Sequence, residues 1–407
     1  MRLHPFRALR PAPAAASAVA SPPYDVVSRT EAAELAKGNP LSFLHVVRSE
    51  IDLSADVLPH DPRVYQKARE NLDRLVREGT LVRDREPTFH LYGLAMDGRA
   101  QTGVVGCVHV DDYESGVIKK HETTRPDKED DRVRHMLALD AHPEPVLLAY
   151  RASQAIARLE TEARARPPVY DFTGAGGVRH TVWPLGDPTP YVEAFDTVPV
   201  AYVADGHHRS ASAWRAARAS STVSPRQVPD ERQWVPAGLF PAEQLRILPY
   251  NRVVADLAGQ TADDVVRRLD AVGQLSTAVT PSPPRPGSLC IYVERRWYLL
   301  ELAESTIDRR DLLGSLDVTL LHERVLAPIL GIGDPRTDPR LDFVGGLRGT
   351  AELEKRVDSG EAALAVSLYP TSIEQLMAVS DAGHVMPPKS TWFEPKLASG
   401  LFVHPFA

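Results

Sequence analysis

Apolar residues recur with two different spacings along this chain, and each spacing predicts its own type of secondary structure. After Asp61-Pro62 and before Gly79 they recur every three or four positions, at Val64, Ala68, Leu72 and Leu75. That spacing, with a capping residue and a proline before it and a glycine after it, predicts an amphipathic helix. Residues 89–94 and 103–110 are apolar stretches joined through Asp97-Gly98, which is typical of a β-hairpin.

The same reading predicts strands at residues 43–47 and 146–150 and a second folded unit from about Val253. Residues 174–177 are glycine-rich, but they lie between two predicted strands and lack Gly-Lys-Ser/Thr, so we expect a hairpin turn rather than a phosphate loop. Strands and helices mix without a strict strand–helix–strand repeat. We therefore expect a mixed α/β (α+β) fold rather than a doubly wound sheet.

The most informative change in the hydrophobic pattern lies in residues 198–214. A valine-rich run ends at Asp205-Gly206-His207-His208-Arg209, and an alanine- and arginine-rich segment that favours helix follows. We call these five residues the elbow. A glycine between strand and helix lets a ligand approach the backbone, and the free N–H groups of the first helical turn suit an anion, usually a phosphate.

The elbow also contains a carboxylate and three other ligand-grade side chains. Asp205 would compete with a phosphate for the same N–H donors, and both fit only if a cation lies between them. This predicts Mg²⁺ held by Asp205 and phosphate oxygens. Arg209 offers a two-pronged donor for phosphate. Adjacent histidines point in different directions, so which of His207 and His208 meets the ligand stays open.

Two further stretches carry candidate chemistry. His121-Glu122-Thr-Thr-Arg125 is not a zinc-protease motif, because arginine stands where the second histidine belongs. It is either a solvated charged turn or an anion site with Glu122 as a base. Pro387-Pro388-Lys389-Ser390-Thr391 is either a rigid surface loop or a stiff presentation of lysine and two hydroxyls to a phosphate or carboxylate.

Composition narrows the functional class. The 407 residues contain 47 Lys plus Arg and 54 Asp plus Glu, for a net charge of −7. An acidic balance disfavours nucleic-acid binding, and no apolar stretch is long enough to predict a membrane span. Cys107 and Cys290 lie far apart in apolar segments, without zinc or disulfide spacing, which favours a reducing compartment and a cytoplasmic protein.

Five stretches together resemble a known family. They are residues 20–27, Asn39-Pro40 leading into residues 43–47, residues 121–132, the elbow, and residues 386–391. Over nearly its full length the chain is similar to bacterial members of the domain-of-unknown-function 1015 family. At the elbow it resembles the free L-serine kinases, whose core is the ParB/sulfiredoxin-like fold. From its prolines alone, the segment at Tyr24 and Asp25 is predicted to form a structural turn, and its two polar residues could also line a cleft.

The kinase resemblance implies an enzyme that transfers a phosphoryl group from ATP or ADP to the hydroxyl of free L-serine, giving O-phosphoserine. Glu122, with His121, matches the catalytic pair, and Asp205 is the expected Mg²⁺ ligand. The phosphate-binding residues would be Gly206, His207, His208, Arg209 and Ser210. The substrate-binding residues would be Lys389, Ser390, Thr391 and, as a helper, Arg125.

Two alternatives stay open: a nucleotide-binding switch without kinase activity, and a phosphoester hydrolase that uses water as its nucleophile. The sequence does not decide between ATP and ADP, and it does not give the oligomeric state. We expect three parts: an N-terminal extension over residues 1–100, which has no counterpart in the smaller kinases, a ParB/sulfiredoxin-like phosphate-binding core over 101–252, and a C-terminal α/β unit over 253–407.

Overall fold

The computed structural model describes residues 1–219 and 230–406, which form two compact units. Unit 1 comprises the described parts of Met1–Lys120, Thr124–Leu245 and Pro395–Ala407. Unit 2 comprises His121–Thr123 and Arg246–Glu394. The chain therefore passes from unit 1 into unit 2 for three residues at His121, and it returns to unit 1 for its last segment.

The strands are β1 (Leu3–His4), β2 (Leu9–Pro11), β3 (Leu81–Arg83), β4 (His90–Met96), β5 (Arg99–His109), β6 (Ile118–Lys119), β7 (Ala141–His142), β8 (Val146–Tyr150), β9 (Tyr170–Thr173), β10 (Arg179–Pro184), β11 (Ala201–Asp205), β12 (Trp234–Pro241), β13 (Arg246–Leu248), β14 (Tyr250–Val254), β15 (Gln274–Thr277), β16 (Ser288–Val293), β17 (Arg296–Glu301), β18 (Leu341–Gly345), β19 (Leu364–Leu368), β20 (Trp392–Glu394) and β21 (His404–Pro405).

The helices are α1 (Ala16–Val19), α2 (Arg29–Ala36), α3 (Leu44–Val47), α4 (Pro62–Arg77), α5 (Val110–Glu114), α6 (Pro126–Leu139), α7 (Gln154–Arg164), α8 (Thr189–Asp196), α9 (His207–Ala219), α10 (Ala262–Asp270), α11 (Asp317–Leu321), α12 (Ala327–Leu330), α13 (Gly349–Asp358) and α14 (Ile373–Asp381). A π-helical turn at His322–Leu326 joins α11 to α12.

Unit 1 is built on a nine-stranded sheet in the order β6-β11-β8-β12-β5-β4-β10-β9, with β1 added alongside β5. Two neighbouring pairs, β6 with β11 and β8 with β12, are parallel, and the other pairs are antiparallel. The sheet is thus mixed, which confirms the mixed α/β prediction. Every residue of β8 is buried, as its uninterrupted apolar sequence requires.

Unit 2 carries a separate six-stranded antiparallel sheet in the order β15-β17-β16-β19-β14-β18, together with the short pair β13-β20. Its buried cluster forms where α13 covers the sheet, and its members are Val253, Tyr292, Val344, Leu353, Ala362 and Ala365. The longer segment of this unit begins at Arg246 with β13, and Val253, where the sequence predicts the start of a second unit, lies in the following strand β14.

Several local predictions are confirmed in detail. Helix α4 begins at Pro62, the Asp61 carboxylate accepts the Arg63 N–H at 2.9 Å, and the predicted apolar stripe is buried. Strands β4 and β5 pair as a hairpin whose turn residues Asp97 and Gly98 both have positive φ, at 53° and 74°.

The strand predicted at residues 43–47 is wrong, because these residues form the short helix α3. A brief apolar run does not distinguish a buried strand from a buried helix by periodicity. Local hydrogen bonds favour the helical turn: Ser42 Oγ accepts the Leu44 N–H, and the Val46 N–H bonds the carbonyl of Phe43. The apolar side chains then pack in the same core cluster as those of α4.

The three-part division at residues 100 and 252 stays a prediction, because the two compact units do not show which segments of the chain fold alone. Strand β5 does run across residue 100. Cys107 and Cys290 are both buried and free, without a disulfide. Within residues 1–219 and 230–406, no helix combines the length and the apolar character that a membrane span needs.

Gly400, in the C-terminal segment of unit 1, provides a test of the packing. Its φ is +86°, and an added Cβ would lie 2.7 Å from the Cβ of Phe43. We expect Gly400→Ala to lower the free energy of unfolding by about 2–4 kcal/mol, from left-handed strain plus overpacking. The control is Gly79→Ala, with φ +73° and no neighbour within 4 Å, which should lose only about 1 kcal/mol. Equal losses in urea denaturation would contradict the clash.

Candidate functional site

The elbow has the strand–turn–helix geometry that the sequence predicts. Strand β11 ends at Asp205, Gly206 turns with φ +98°, and α9 begins at His207. A Cβ on Gly206 would lie 3.1 Å from both Val146 Cγ1 and Arg209 Nε. Glycine is therefore required here for its backbone conformation and for the close approach of its neighbours.

Asp205 is held by two cations at once. Lys396 Nζ donates to Oδ1 at 2.6 Å, and Arg209 Nη2 donates to Oδ2 at 2.5 Å. Burial alone would raise the pKa of the Asp205 carboxyl, but Lys396 and Arg209 outweigh burial and hold the pKa well below its ordinary value. The carboxylate is therefore ionised at neutral pH and bound inside unit 1.

Lys396 is the residue that sequence reasoning missed. It belongs to the segment Pro395–Ala407, which is part of unit 1 although nearly 200 positions separate it from the elbow. The one available signal was that Pro395-Lys396 repeats the Pro388-Lys389 pair shortly before it. No spacing rule connects such distant residues, so only the fold reveals the contact.

Arg209 is almost fully buried, and its guanidinium donates hydrogen bonds to other groups of the protein. Nη1 donates to the carbonyl of Pro145, and Nη2 donates to Asp205. Burial would lower the pKa of the guanidinium, but Asp205 and other nearby acids raise it overall, so Arg209 stays charged. The residue fixes the shape of the elbow through these contacts.

The two elbow histidines have different surroundings, which bears on the question that the sequence left open. His207 is buried, and burial lowers its pKa to about 3, so it is neutral at pH 7. His208 is half-buried, and its Nε2 accepts the backbone N–H of Arg125 at 3.1 Å. His208 thereby brings Arg125, at the start of α6, next to the elbow.

Helices α6 and α9 lie side by side behind this contact. Arg215 pairs with Glu129 at 3.0 Å and with Asp130 at 2.5 Å, and Ser212 Oγ donates to the carbonyl of Glu129 at 3.1 Å. The Arg125 side chain itself is exposed and pairs with Asp127. Its charge thus remains accessible to solvent.

Within unit 2 the structure brings together two stretches that are distant in sequence. His121 Nε2 lies 3.2 Å from Thr391 Oγ1, and the Met386 N–H donates to the carbonyl of His121 at 2.8 Å. Glu122 is half-buried and belongs to the same unit. The predicted catalytic pair therefore shares unit 2 with Lys389, Ser390 and Thr391, whereas the fourth predicted substrate residue, Arg125, belongs to unit 1.

Residues 387–391 form a constrained loop. Lys389 has a left-handed backbone with φ +57°, which is unfavourable for a residue other than glycine. Arg252 Nη2 donates to the carbonyls of Lys389 at 2.9 Å and Pro388 at 3.3 Å, and Ser390 Oγ donates to the carbonyl of Pro387 at 2.6 Å. The Ser390 hydroxyl therefore bonds within the loop, and the rigidity expected from its prolines stays a prediction.

Arg252 is a second residue that the sequence did not identify as important. It is buried, its guanidinium carbon lies 4.5 Å from the centre of the Phe343 ring, and no carboxylate of unit 2 pairs with it. Burial lowers its pKa to about 9, which leaves it mostly protonated at pH 7. Lys389 Nζ lies 5.5 Å from the centre of the Tyr250 ring. Lys389 in the loop and Arg252 in β14 are therefore two positive charges, and neither makes an ion pair within the described residues of unit 2.

The residues present do not favour a protein-built metal centre. Across the described ranges, no group of three or more His, Cys, Asp or Glu side chains could hold a metal ion. Each oxygen of Asp205 already accepts a hydrogen bond from a cation. Asp205 as a Mg²⁺ ligand stays a prediction, and it would require a metal to share the carboxylate with Lys396 and Arg209.

The fold and the elbow together define a two-unit mixed α/β protein with a buried, charged strand–helix turn. A family model described as "Protein of unknown function (DUF1015)" matches residues 3–319, and the chain belongs to this family. This confirms the family resemblance found in the sequence. A search of the curated proteins found no match.

Solved structures give weaker similarities. SbnI with a C-terminal truncation, from Staphylococcus aureus, is 15% identical with a TM-score of 0.40, covering 74% of this chain and 87% of its own. A free serine kinase in complex with AMP is 11% identical with a TM-score of 0.37, covering 74% and 90%. A conserved hypothetical protein from Pyrococcus furiosus is 12% identical with a TM-score of 0.37, covering 73% and 94%. At TM-scores of 0.40 and 0.37 these similarities carry no argument about this chain.

Lys396→Met tests the ion pair of the elbow. Removing one partner of a buried pair should lower the free energy of unfolding at pH 7 by about 2–4 kcal/mol. Because the pKa of Asp205 is depressed in the fold, its contribution exists at neutral pH and is lost as acid protonates the carboxylate. The difference from wild type should therefore shrink below about pH 4.

Two further variants make that measurement decisive. Lys37→Met removes an exposed pair with Glu34 and should change stability by less than about 0.5 kcal/mol. Asp205→Asn combined with Lys396→Met should cost less than the sum of the single losses, since the second change removes a charge that is already unpaired. Additive losses would show that the two residues are not coupled.

Proposed function

We propose that this protein is a small-molecule kinase that transfers a phosphoryl group from ATP or ADP to the hydroxyl of free L-serine, giving O-phosphoserine. The observation that carries the proposal is the elbow, where a positive-φ glycine opens helix α9 beside buried cations. The match of Asp205-Gly-His-His-Arg209 to the kinase motif supports it. The ParB/sulfiredoxin-like assignment of the core belongs to the same proposal.

The charge balance of the elbow suits a phosphate. Arg209 and Lys396 both bond Asp205, so the directly bonded groups carry two positive charges and one negative charge, with Asp25 and Glu144 also near Arg209. The first-turn N–H groups add a fixed dipole of the same sign. Because Arg209 already bonds Pro145 and Asp205, we assign the phosphates chiefly to the backbone N–H groups around Gly206, with His207, His208 and Ser210 as neighbours.

Magnesium remains part of the proposal as a companion of the nucleotide. Mg²⁺ in such sites is held largely by phosphate oxygens and water, and it neutralises charge on the transferred group. Asp205 is bound by two cations, so we derive no step through a metal at that carboxylate.

The acceptor residues are proposed in unit 2. Glu122 is the candidate base for the serine hydroxyl, and His121, bonded to Thr391, holds its neighbour in place. Since the hydroxyl of Ser390 is used within its loop, Lys389 is the group we assign to the substrate carboxylate. Positioning and charge neutralisation would supply most of the rate.

The decisive experiment incubates the protein with Mg²⁺, ATP or ADP, and a pool of amino acids, and detects products by mass spectrometry. We expect phosphoserine from wild type and a loss of at least about a hundredfold in Glu122→Gln, because a general base contributes roughly that much. Nucleotide binding should change little. Glu374→Gln, which alters an exposed glutamate at the start of α14, is the matched control.

The same assay separates the alternatives. Intact nucleotide with tight binding and no product would favour the regulatory switch. Release of inorganic phosphate without phosphoserine would favour the hydrolase. Full activity of Glu122→Gln would exclude Glu122 as the base even if the protein is a kinase.

Lys389→Met tests the acceptor subsite. Loss of a charged contact to the substrate carboxylate should raise KM for serine by about tenfold or more while leaving nucleotide affinity near wild type. Lys355→Met removes a largely exposed lysine of α13 in the same unit and should change neither constant. If both lysine variants behave alike in steady-state kinetics, Lys389 does not bind the acceptor.

A further inference from the structure

A small polar cavity inside unit 1 adjoins the elbow. Its volume is about 10 Å³, and its lining residues are Arg132, His135, Met136, Pro143, Glu144 and Arg209. A cavity of this size holds one water molecule if enough polar groups face it. The hydrogen bonds of its walls therefore decide what occupies it.

Two of the lining groups are buried donors. Arg132 Nη1 and Arg209 Nε have no hydrogen-bond partner among the described residues, and the two arginines are only 9% and 4% exposed. The remaining nitrogens of Arg132 bond Asp131, so the side chain is fixed in place. A buried N–H of a charged group is costly to leave unpaired, which points to an acceptor in the cavity.

A third lining group is a buried acceptor. His135 Nε2 lies 3.0 Å from the carbonyl of Val46, and a carbonyl only accepts, so the ring proton is on Nε2. Burial lowers the pKa of His135 to about 3, which keeps the ring neutral. Nδ1 is therefore an unprotonated acceptor, and it has no partner among the described residues.

Glu144 completes the walls. Its Oε1 accepts the backbone N–H of Tyr24 at 3.2 Å and the hydroxyl of Ser399 at 2.5 Å. In the described part of the chain it makes no direct ion pair with Arg132 or Arg209. An occupant that accepts from two N–H groups and donates to both His135 and Glu144 must itself carry two hydrogens. Water has this pattern, whereas a halide ion cannot donate.

We propose that one ordered water molecule joins Arg132, Arg209, His135 and Glu144, and that Glu144 is a positioning residue that orients Arg209 beneath the elbow. The carbonyl of Pro145, the residue after Glu144, accepts a hydrogen bond from Arg209. Glu144 thereby connects three elements: the segment at Tyr24, the segment at Ser399 and the start of α9.

This network gives a role to the Ser21–Asp25 segment, for which the sequence predicts a structural turn whose Tyr24 and Asp25 could also line a cleft. The ring of Tyr24 lies under the Arg132 guanidinium, 4.1 Å from its carbon to the ring centre, and its N–H bonds Glu144. Tyr24 therefore contacts both Arg132 and Glu144 and helps to fix their positions. The effect on nucleotide binding rests on the proposed function, but the water site does not.

A crystal structure of the wild-type protein, grown with and without sodium bromide, tests the water site. We expect one ordered water within hydrogen-bond distance of Arg132 Nη1, Arg209 Nε and His135 Nδ1 in both crystals, without anomalous signal at the bromine edge. Anomalous density in the cavity, or a dry cavity, would overturn the proposal. This result does not depend on any activity.

Glu144→Gln tests the positioning role. Glutamine keeps one oxygen for Tyr24 and Ser399 but replaces the second acceptor by a donor. We expect the dissociation constant for ADP, measured by calorimetry, to rise about tenfold, with a smaller change in the turnover number. Glu160→Gln is the control, since Glu160 is an equally buried glutamate on α7 that does not line the cavity.

The outcomes separate this inference from the proposed function. Unchanged ADP affinity in a folded Glu144→Gln protein, or equal weakening in the Glu160 control, would overturn the positioning role. If wild type binds no nucleotide, the proposed function fails, and the positioning role is then judged from the Glu144→Gln crystal: displacement of Arg209 supports it, and an unmoved Arg209 refutes it.

Discussion

The partly buried carboxylate of Asp205 imposes a condition on the packing of unit 1. A charge largely removed from water must be paired, and two cations bond this one. One of these cations is Arg209, in the first turn of α9, and the other is Lys396, from the last segment of the chain. The Lys396 ion pair is one of the contacts that hold Pro395–Ala407 in unit 1, together with the pairing of β21 with β7.

Unit 2 also contains a buried charged side chain, but no carboxylate of its described residues pairs with it. Arg252 is buried, but it bonds backbone carbonyls, including those of Pro388 and Lys389, rather than an acid. Carbonyls satisfy its N–H groups without cancelling its charge. The left-handed backbone of Lys389 is therefore held by a cation that still contributes a positive field. In unit 1 Asp205, Arg209 and Lys396 bond one another, whereas in unit 2 the buried Arg252 holds the loop that carries the exposed Lys389.

Local features were predictable because a few neighbouring residues determine them. The cap and stripe of α4, the turn at Asp97-Gly98 and the glycine of the elbow follow from spacing and backbone preference. The run at residues 43–47 was misread, since four or five apolar residues fit a strand or a helix and only packing against α4 decides. Lys396, Arg252 and Glu144 act through partners more than a hundred residues away, and no local pattern contains them.

The long-range contacts also change what the elbow motif means. Read alone, Asp205 and Arg209 are a metal ligand and a phosphate clamp. In the fold their charged groups bond each other, Lys396 and Pro145, so they set the shape and net charge of the turn before any ligand arrives. The predicted phosphate would therefore meet the dipole of the first turn of α9 rather than the Arg209 side chain. Such preorganised dipoles need no rearrangement when charge develops on a phosphoryl group, which is the condition under which electrostatic stabilisation is most effective.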